Sequence, residues 1–206
     1  RGVAILGVII YHAEILFFNK QLFTGGFLGV DIFLVISGFL ITRIINNEYT
    51  KERKFSFKKF YQRRFRRLVP ALTAVVIIST IFAFFILYPS QFLFFLKSAF
   101  SSIFFFSNIF FHYAGESYGQ SVLTTIPLLH TWSLSLEEQF YLFFPVMLFI
   151  IYKFREDKIN LFLILFFLIS FIFAVLINPK HPSFNFYMLP SRGWEFILGA
   201  LLAVNE

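Results

Sequence analysis

The chain has 206 residues, of which 58% are hydrophobic, 35 are Phe and only 14% are charged, for a formal net charge of +7. A soluble domain carries about a quarter charged residues, so this composition and a mean hydropathy of +0.77 exclude a soluble enzyme and describe an integral membrane protein. With no cysteine, disulfides, thiolate metal sites and a thiol nucleophile are excluded, and any group carried covalently here sits on oxygen or nitrogen.

Apolar runs of about 20 residues, the length that crosses a hydrocarbon core, lie near 2–18, 27–46, 69–88, 130–152, 160–178 and 190–206. They predict an all-α fold, a polytopic transmembrane helix bundle of six spans. No internal repeat or low-complexity linker divides it. The chain opens on Arg1 rather than Met and stops just after an apolar run, so it reads as the first part of a longer domain. No charged, apolar and small-residue series marks a removable signal peptide.

Span 1 carries Arg1 and His12, eleven positions apart and so on one helical face, about 16 Å from each other along the axis. Span 2 holds Asp31 near its start and Arg43 near its end. Between Asn47 and Leu68, nine basic residues stand against two acidic ones, a net +7. The positive-inside rule places this basic loop, 47–68, in the cytoplasm together with the amino end. Pro70 is expected to fix the start of span 3.

The run 92–112 is expected to be a re-entrant or interfacial helix, because the basic connection 153–158 also belongs inside. Its Lys97, Ser101, Asn108 and His112 recur at spacings of four and seven, on one face. A plain seventh span is the alternative. On this topology 89–129 and 179–189 lie outside. Span 4 runs inward with His130 and Glu137 on one face of its outer half. In span 6, Arg192 and Glu195 lie three apart and can pair. The expected picture is a polar cluster outside and a cationic one inside.

Five segments, in order, carry a resemblance. They are RGVAILGVIIYH (1–12), FLGVDIFLVISGFLIT (27–42), FYQRRFRRLVPAL (60–72), LLHTWSLSLEEQFYLFFP (128–145) and FNFYMLPSRGWEFILGALLA (184–203). Together they resemble the acyltransferase-three family of multi-pass membrane O-acyltransferases, which includes O-acetylases of bacterial peptidoglycan and lipopolysaccharide. The match spans essentially the whole chain and makes 1–206 a partial membrane acyltransferase domain. The resemblance implies transfer of an acyl group, usually acetyl from cytoplasmic acetyl-CoA, to a sugar hydroxyl facing outward in a bacterial cell membrane. It implies functional roles for Arg1 and His12, for the basic motif Arg63 to Arg67, and for Glu137 or Glu138.

The residue types suit that chemistry independently of the family. A hydroxyl attacking an acyl group needs a base near neutrality, which His12 supplies; the plainer reading is a histidine bonded between helices. Asp31 or Glu14 would orient His12 by accepting its second ring proton, with Asp31 favoured. Glu137 is chosen over Glu138 as stabiliser or second acid/base, since the two point about 100° apart; the plainer reading pairs it with Arg192. Arg1, Arg63, Arg64, Arg67 and Arg192 are the candidate contacts to an acyl-CoA, whose phosphates suit guanidinium forks. Snorkelling, anionic lipid or an Arg192–Glu195 pair would also account for them. Gly29, Ser37 and Gly38 read as close helix packing rather than a nucleophile.

The expected partners are therefore an acyl-CoA donor substrate, a glycan acceptor and the bilayer, with no bound cofactor, metal or nucleic acid. The competing reading is a polytopic transporter whose buried charges line a path for an anionic solute or glycolipid.

Overall fold

A computed structural model describes residues 2–13, 16–17, 20–21, 24–118 and 126–206, so Arg1 and Glu14 lie outside the described residues. Backbone amides in hydrocarbon have no water to bond and must satisfy one another within a helix, and most of the chain does so. Among the described residues the α-helices are α1 Gly2–His12, α2 Leu28–Glu52, α3 Phe57–Ile86, α4 Pro89–Ile103, α5 Ser107–Tyr118, α6 Thr131–Arg155, α7 Ile159–Ile177, α8 Pro182–Tyr187 and α9 Leu189–Val204. The one extended pairing among the described residues, Leu16–Phe17 against Lys20–Gln21, is two residues long. The fold is all-α, as expected.

Among the described residues three stretches are long and apolar enough to cross a membrane: Leu28–Glu52, Phe57–Ile86 and Thr131–Ile177. The last holds α6 and α7, joined by a 3₁₀ turn at Glu156–Lys158. Large apolar side chains point outward along these helices, among them Phe84, Phe85 and Ile86 on α3, Phe143 on α6 and Leu176 on α7. Water does not tolerate so extensive an apolar surface, whereas lipid does. This is a helical membrane protein.

Several expected boundaries move. The helix of the first run stops at His12, short of 18. The segment 47–68 is not a loop: α2 continues to Glu52 and α3 starts at Phe57, leaving only 53–56 between them. Arg53 closes α2 in the left-handed region at φ 51°, its N–H on the Tyr49 carbonyl. Ser56 opens α3 by accepting from the Lys59 N–H at 3.4 Å. Pro70 consequently lies inside α3 rather than at its start. Lys and Arg are good helix formers, so the basic run extends the helix instead of ending it.

The run 92–112 is two helices, not one. Phe105 adopts φ 58° between α4 and α5, and the Phe106 N–H reaches back to the Ser101 carbonyl at 2.9 Å. The break interrupts the single face expected for Lys97, Ser101, Asn108 and His112. Ser101, Asn108 and His112 are nevertheless buried, while Lys97 is exposed.

The chain forms two compact units, Arg1–Arg53 with Phe140–Leu176 and Pro190–Glu206, and Lys54–Gln139 with Ile177–Leu189. In the first, Leu34, Ile41 and Ile45 of α2 are buried with Phe144 and Leu148 of α6, Leu163 of α7 and Phe196 of α9. The Phe140 and Phe196 rings stack at 4.2 Å. A Cβ on Gly38 would fall on the Phe196 carbonyl, and one on Gly199 on the Val35 carbonyl, so α2 and α9 touch backbone to backbone. In the second unit, Leu72, Val76 and Ala83 of α3 form a core with Phe95 and Ala99 of α4 and Leu128.

Candidate functional site

One helical stripe decides which arginine of the basic run turns inward. Phe60, Arg64, Leu68, Leu72 and Val76 recur every four residues along α3, the spacing that keeps side chains on one face. Phe60, Leu72 and Val76 are buried, and Arg64 rides inward with them. Arg63, Arg66 and Arg67 remain exposed.

Two acids of α6 receive that guanidinium. Arg64 Nη2 donates to Glu138 Oε1 at 2.7 Å, and Glu137 Oε1 lies 4.0 Å from the same nitrogen. The side chains of Arg64, Glu137 and Glu138 are 25%, 4% and 16% exposed, so this pair is shielded enough to matter, unlike a surface ion pair. Tyr61, Arg64, Phe65, Leu68, Phe105 and Glu138 line a cavity of about 370 Å³ beside it. The expected separation of an inner cationic cluster from an outer acidic one fails here, because the basic run and the Glu137–Glu138 pair meet. His130, expected to share Glu137's face, is exposed.

A second guanidinium with two acids lies in the other unit. Arg192 Nη2 pairs with Asp31 Oδ1 and lies 3.1 Å from Glu195 Oε1. The Arg192–Glu195 pairing follows from their spacing of three on α9, whereas Asp31 reaches it from α2. Nearby, Ser170 Oγ donates to the Pro190 carbonyl at 2.7 Å and accepts from the Trp194 N–H at 2.9 Å. That holds the first turn of α9 against α7.

His12 ends α1, exposed, with Nδ1 2.9 Å from the Val8 carbonyl and its ring edge-on to Tyr11. The carboxylate expected to orient it, Asp31, is engaged by Arg192. Glu14, the other candidate orienter, and Arg1 lie outside the described residues.

The α4–α5 break has its own polar support. Thr131, Ser135 and Gln139 recur every four residues at the start of α6. Thr131 Oγ1 and Ser102 Oγ are 2.7 Å apart, and Ser135 Oγ accepts from the Ser107 N–H at 3.2 Å. Gln139 Nε2 donates to the Phe105 carbonyl at 2.9 Å and to Asn108 Oδ1 at 2.8 Å. Backbone groups released by a broken helix at membrane depth need such partners. Among the described residues no group of three or more His, Asp or Glu side chains is placed to hold a metal ion.

A sequence profile described as the acyltransferase domain matches residues 1–206. The chain belongs to this acyltransferase family. It is 34% identical over 206 residues to O-acetyltransferase OatA of Staphylococcus aureus (strain NCTC 8325 / PS 47), covering 98% of this chain and 33% of that protein. It is likewise 34% identical to peptidoglycan O-acetyltransferase OatA of Listeria monocytogenes serovar 1/2a, over 98% of this chain and 32% of the relative. The same identity holds to the putative peptidoglycan O-acetyltransferase YrhL of Bacillus subtilis (strain 168), over 99% and 32%. This acyltransferase chain thus spans about a third of the length of the curated relatives it matches. No solved structure matches it.

Within this acyltransferase domain the structure joins Arg64 to the Glu137–Glu138 pair and Arg192 to Asp31. Arg63 and Arg67 are left at the surface. Glu138, rather than the expected Glu137, is the acid in direct contact with Arg64; only the fold distinguishes neighbours that differ by one helical step. The Thr131–Ser135–Gln139 ladder is a further polar feature, and its spacing of four is visible in the sequence.

Proposed function

We propose that this chain is part of a multi-pass O-acyltransferase of a bacterial cell membrane. It moves an acyl group, acetyl, from cytoplasmic acyl-CoA to a hydroxyl of cell-wall polysaccharide on the outer side. The observation that carries the reading is Arg64, half-buried beside a cavity in a chain of the acyltransferase family. A guanidinium there offers fixed, paired donors to a phosphate or a polarised carbonyl. Arg1, Arg63 and Arg67 would gather the donor's phosphates on the basic, cytoplasmic side, consistent with the net +7 of 47–68. Arg192 would act on the acyl group or acceptor.

Chemically, His12 takes the proton of the attacking hydroxyl as the acyl carbon leaves sulfur for oxygen, and the CoA thiolate recovers a proton. Within its own unit Glu137, with Glu138, holds the Arg64 guanidinium as stabiliser, and Asp31 acts through Arg192. Relatives named peptidoglycan O-acetyltransferases favour a peptidoglycan acceptor and acetyl as the group transferred.

The test uses membranes holding the full-length protein, radiolabelled acetyl-CoA and peptidoglycan fragments. Label is expected in the glycan, and His12→Ala is expected to lower its rate by about 10²–10⁴, the usual worth of a general base. Undiminished transfer by His12→Ala would remove that residue's role. Movement of glycan without acetylation would favour a transporter.

A further inference from the structure

A serine, a histidine and a glutamate outside the site already described line up on two short helices of one unit. His112 Nδ1 lies 2.9 Å from Ser183 Oγ, and His112 Nε2 lies 3.7 Å from Glu116 Oε1. His112 is 5% exposed and Ser183 is half-buried, so the serine is within reach while the base is shielded. The Glu116 side chain is 50% exposed.

The arrangement is held at two points. On α5, Asn108 and His112 are one helical turn apart; on α8, Ser183 and Tyr187 are too. Asn108 Nδ2 donates to the Tyr187 carbonyl at 3.0 Å, so the Asn108–Tyr187 and His112–Ser183 contacts clamp α8 to α5 in one register. Tyr187 is buried, its ring edge-on to Trp132, and Phe184 sets its ring edge-on to His112 at 5.7 Å. Neither the serine nor the imidazole is left to find the other by rotation. Nucleophile, base and base-orienting carboxylate are the components of a serine acyl-transfer centre, recognised by geometry rather than chain order.

We propose that Ser183 is a transient acyl acceptor, with His112 as its base and Glu116 as the residue that positions and charges-balances the imidazole. The inference rests on the proposed function for the source of the acyl group, an activated thioester, and divides that transfer in two, with His112 serving the serine and the final glycan hydroxyl. In the first step Ser183 Oγ bonds to the acyl carbon as the donor's C–S bond breaks. The hydroxyl proton passes to His112 Nδ1 and on to the departing sulfur. In the second step a glycan hydroxyl attacks the Ser183 ester, gives its proton to His112, and the released Ser183 oxygen takes that proton back. No redox partner is needed.

A fluorophosphonate probe tests this without depending on the donor, since it phosphonylates only an activated serine. Full-length protein in detergent is treated with the probe and the adduct mapped to the peptide containing Ser183. Labelling there is expected, falling by about 10²–10⁴ in His112→Gln, which keeps a hydrogen bond to Ser183 but supplies no base. Glu116→Gln is expected to slow labelling and Glu116→Asp to restore part of it, which loss of a purely structural contact would not do. Absence of label on Ser183 in protein with a normal melting transition, or equal labelling of the His112→Gln protein, overturns the proposal. Acetyl transfer to peptidoglycan unchanged by Ser183→Ala overturns it too and leaves the proposed function standing. A protein labelled at Ser183 that transfers no acetyl does the reverse.

Discussion

Gln139 Nε2 donates to the Phe105 carbonyl at 2.9 Å, at the residue where the chain leaves α4 and turns into α5. The same amide exchanges contacts with Asn108, so one side chain of α6 holds the break itself and the first turn of α5. Replacing it with leucine strands the part-buried Phe105 carbonyl and the Asn108 amide oxygen together. Gln139→Leu is expected to cost about 1–3 kcal/mol, the usual penalty for a buried group left unsatisfied. Thermal unfolding in detergent, read against Gln139→Asn, measures it; a change within a few tenths of a kcal/mol would mean the break stands without Gln139, on the Thr131 and Ser135 contacts.

Arg64 differs from its basic neighbours by direction rather than by chemistry. Its charge-assisted bond to Glu138 is shielded, whereas Arg63 and Arg67 are exposed. Arg64→Ala leaves the Glu137–Glu138 pair without this guanidinium and is expected to destabilise by about 1.5–3 kcal/mol. Arg63→Ala and Arg67→Ala are expected to stay within about 0.5 kcal/mol. Lysine at 64 restores charge but not the planar fork, and its unfolding midpoint should fall between those of the wild type and Arg64→Ala.

Gly38 and Gly199 make a second internal comparison. At each, an added Cβ meets backbone of the facing helix, which no side-chain rotation relieves, while a Cβ on Gly25 meets nothing within 4 Å. Gly38→Ala and Gly199→Ala are expected to cost about 1–3 kcal/mol each as overpacking. Gly25→Ala should be nearly neutral in the same unfolding assay. Equal effects at all three positions would show that α2 and α9 can separate at little cost.

How far the sequence foretold this structure depends on how far apart the cooperating residues lie. The helical membrane class follows from composition, and the Arg192–Glu195 contact follows from a spacing of three within one helix. The Asp31–Arg192 contact joins residues 161 positions apart, and no local rule pairs them. Phe104, Phe105 and Phe106 hold neither Gly nor Pro to announce a break; its support comes from Ser135 and Gln139 on another helix. The start of α3 is hidden in the basic run, because dense charge suggests a loop although Lys and Arg sit well in helices. Arg64 itself was legible, through the stripe it shares with Phe60 and Leu72. The acid it meets was legible only as one of two neighbours.

The Arg192 cluster holds two carboxylates against one guanidinium, and that ratio predicts an unequal response to substitution. Glu195 is 3% exposed and the Asp31 side chain 37%, so removing the cation strands Glu195 far more severely than Asp31. Arg192→Gln is expected to destabilise by about 3–5 kcal/mol, the range for breaking a buried pair from one side. Adding Glu195→Gln to that variant removes the stranded charge and is expected to recover part of the loss, whereas adding Asp31→Asn recovers less because water already reaches Asp31. A double-mutant cycle on unfolding free energies separates these contributions. Equal recovery from the two acids would mean that burial does not govern the cluster and that Arg192 serves Asp31 and Glu195 alike.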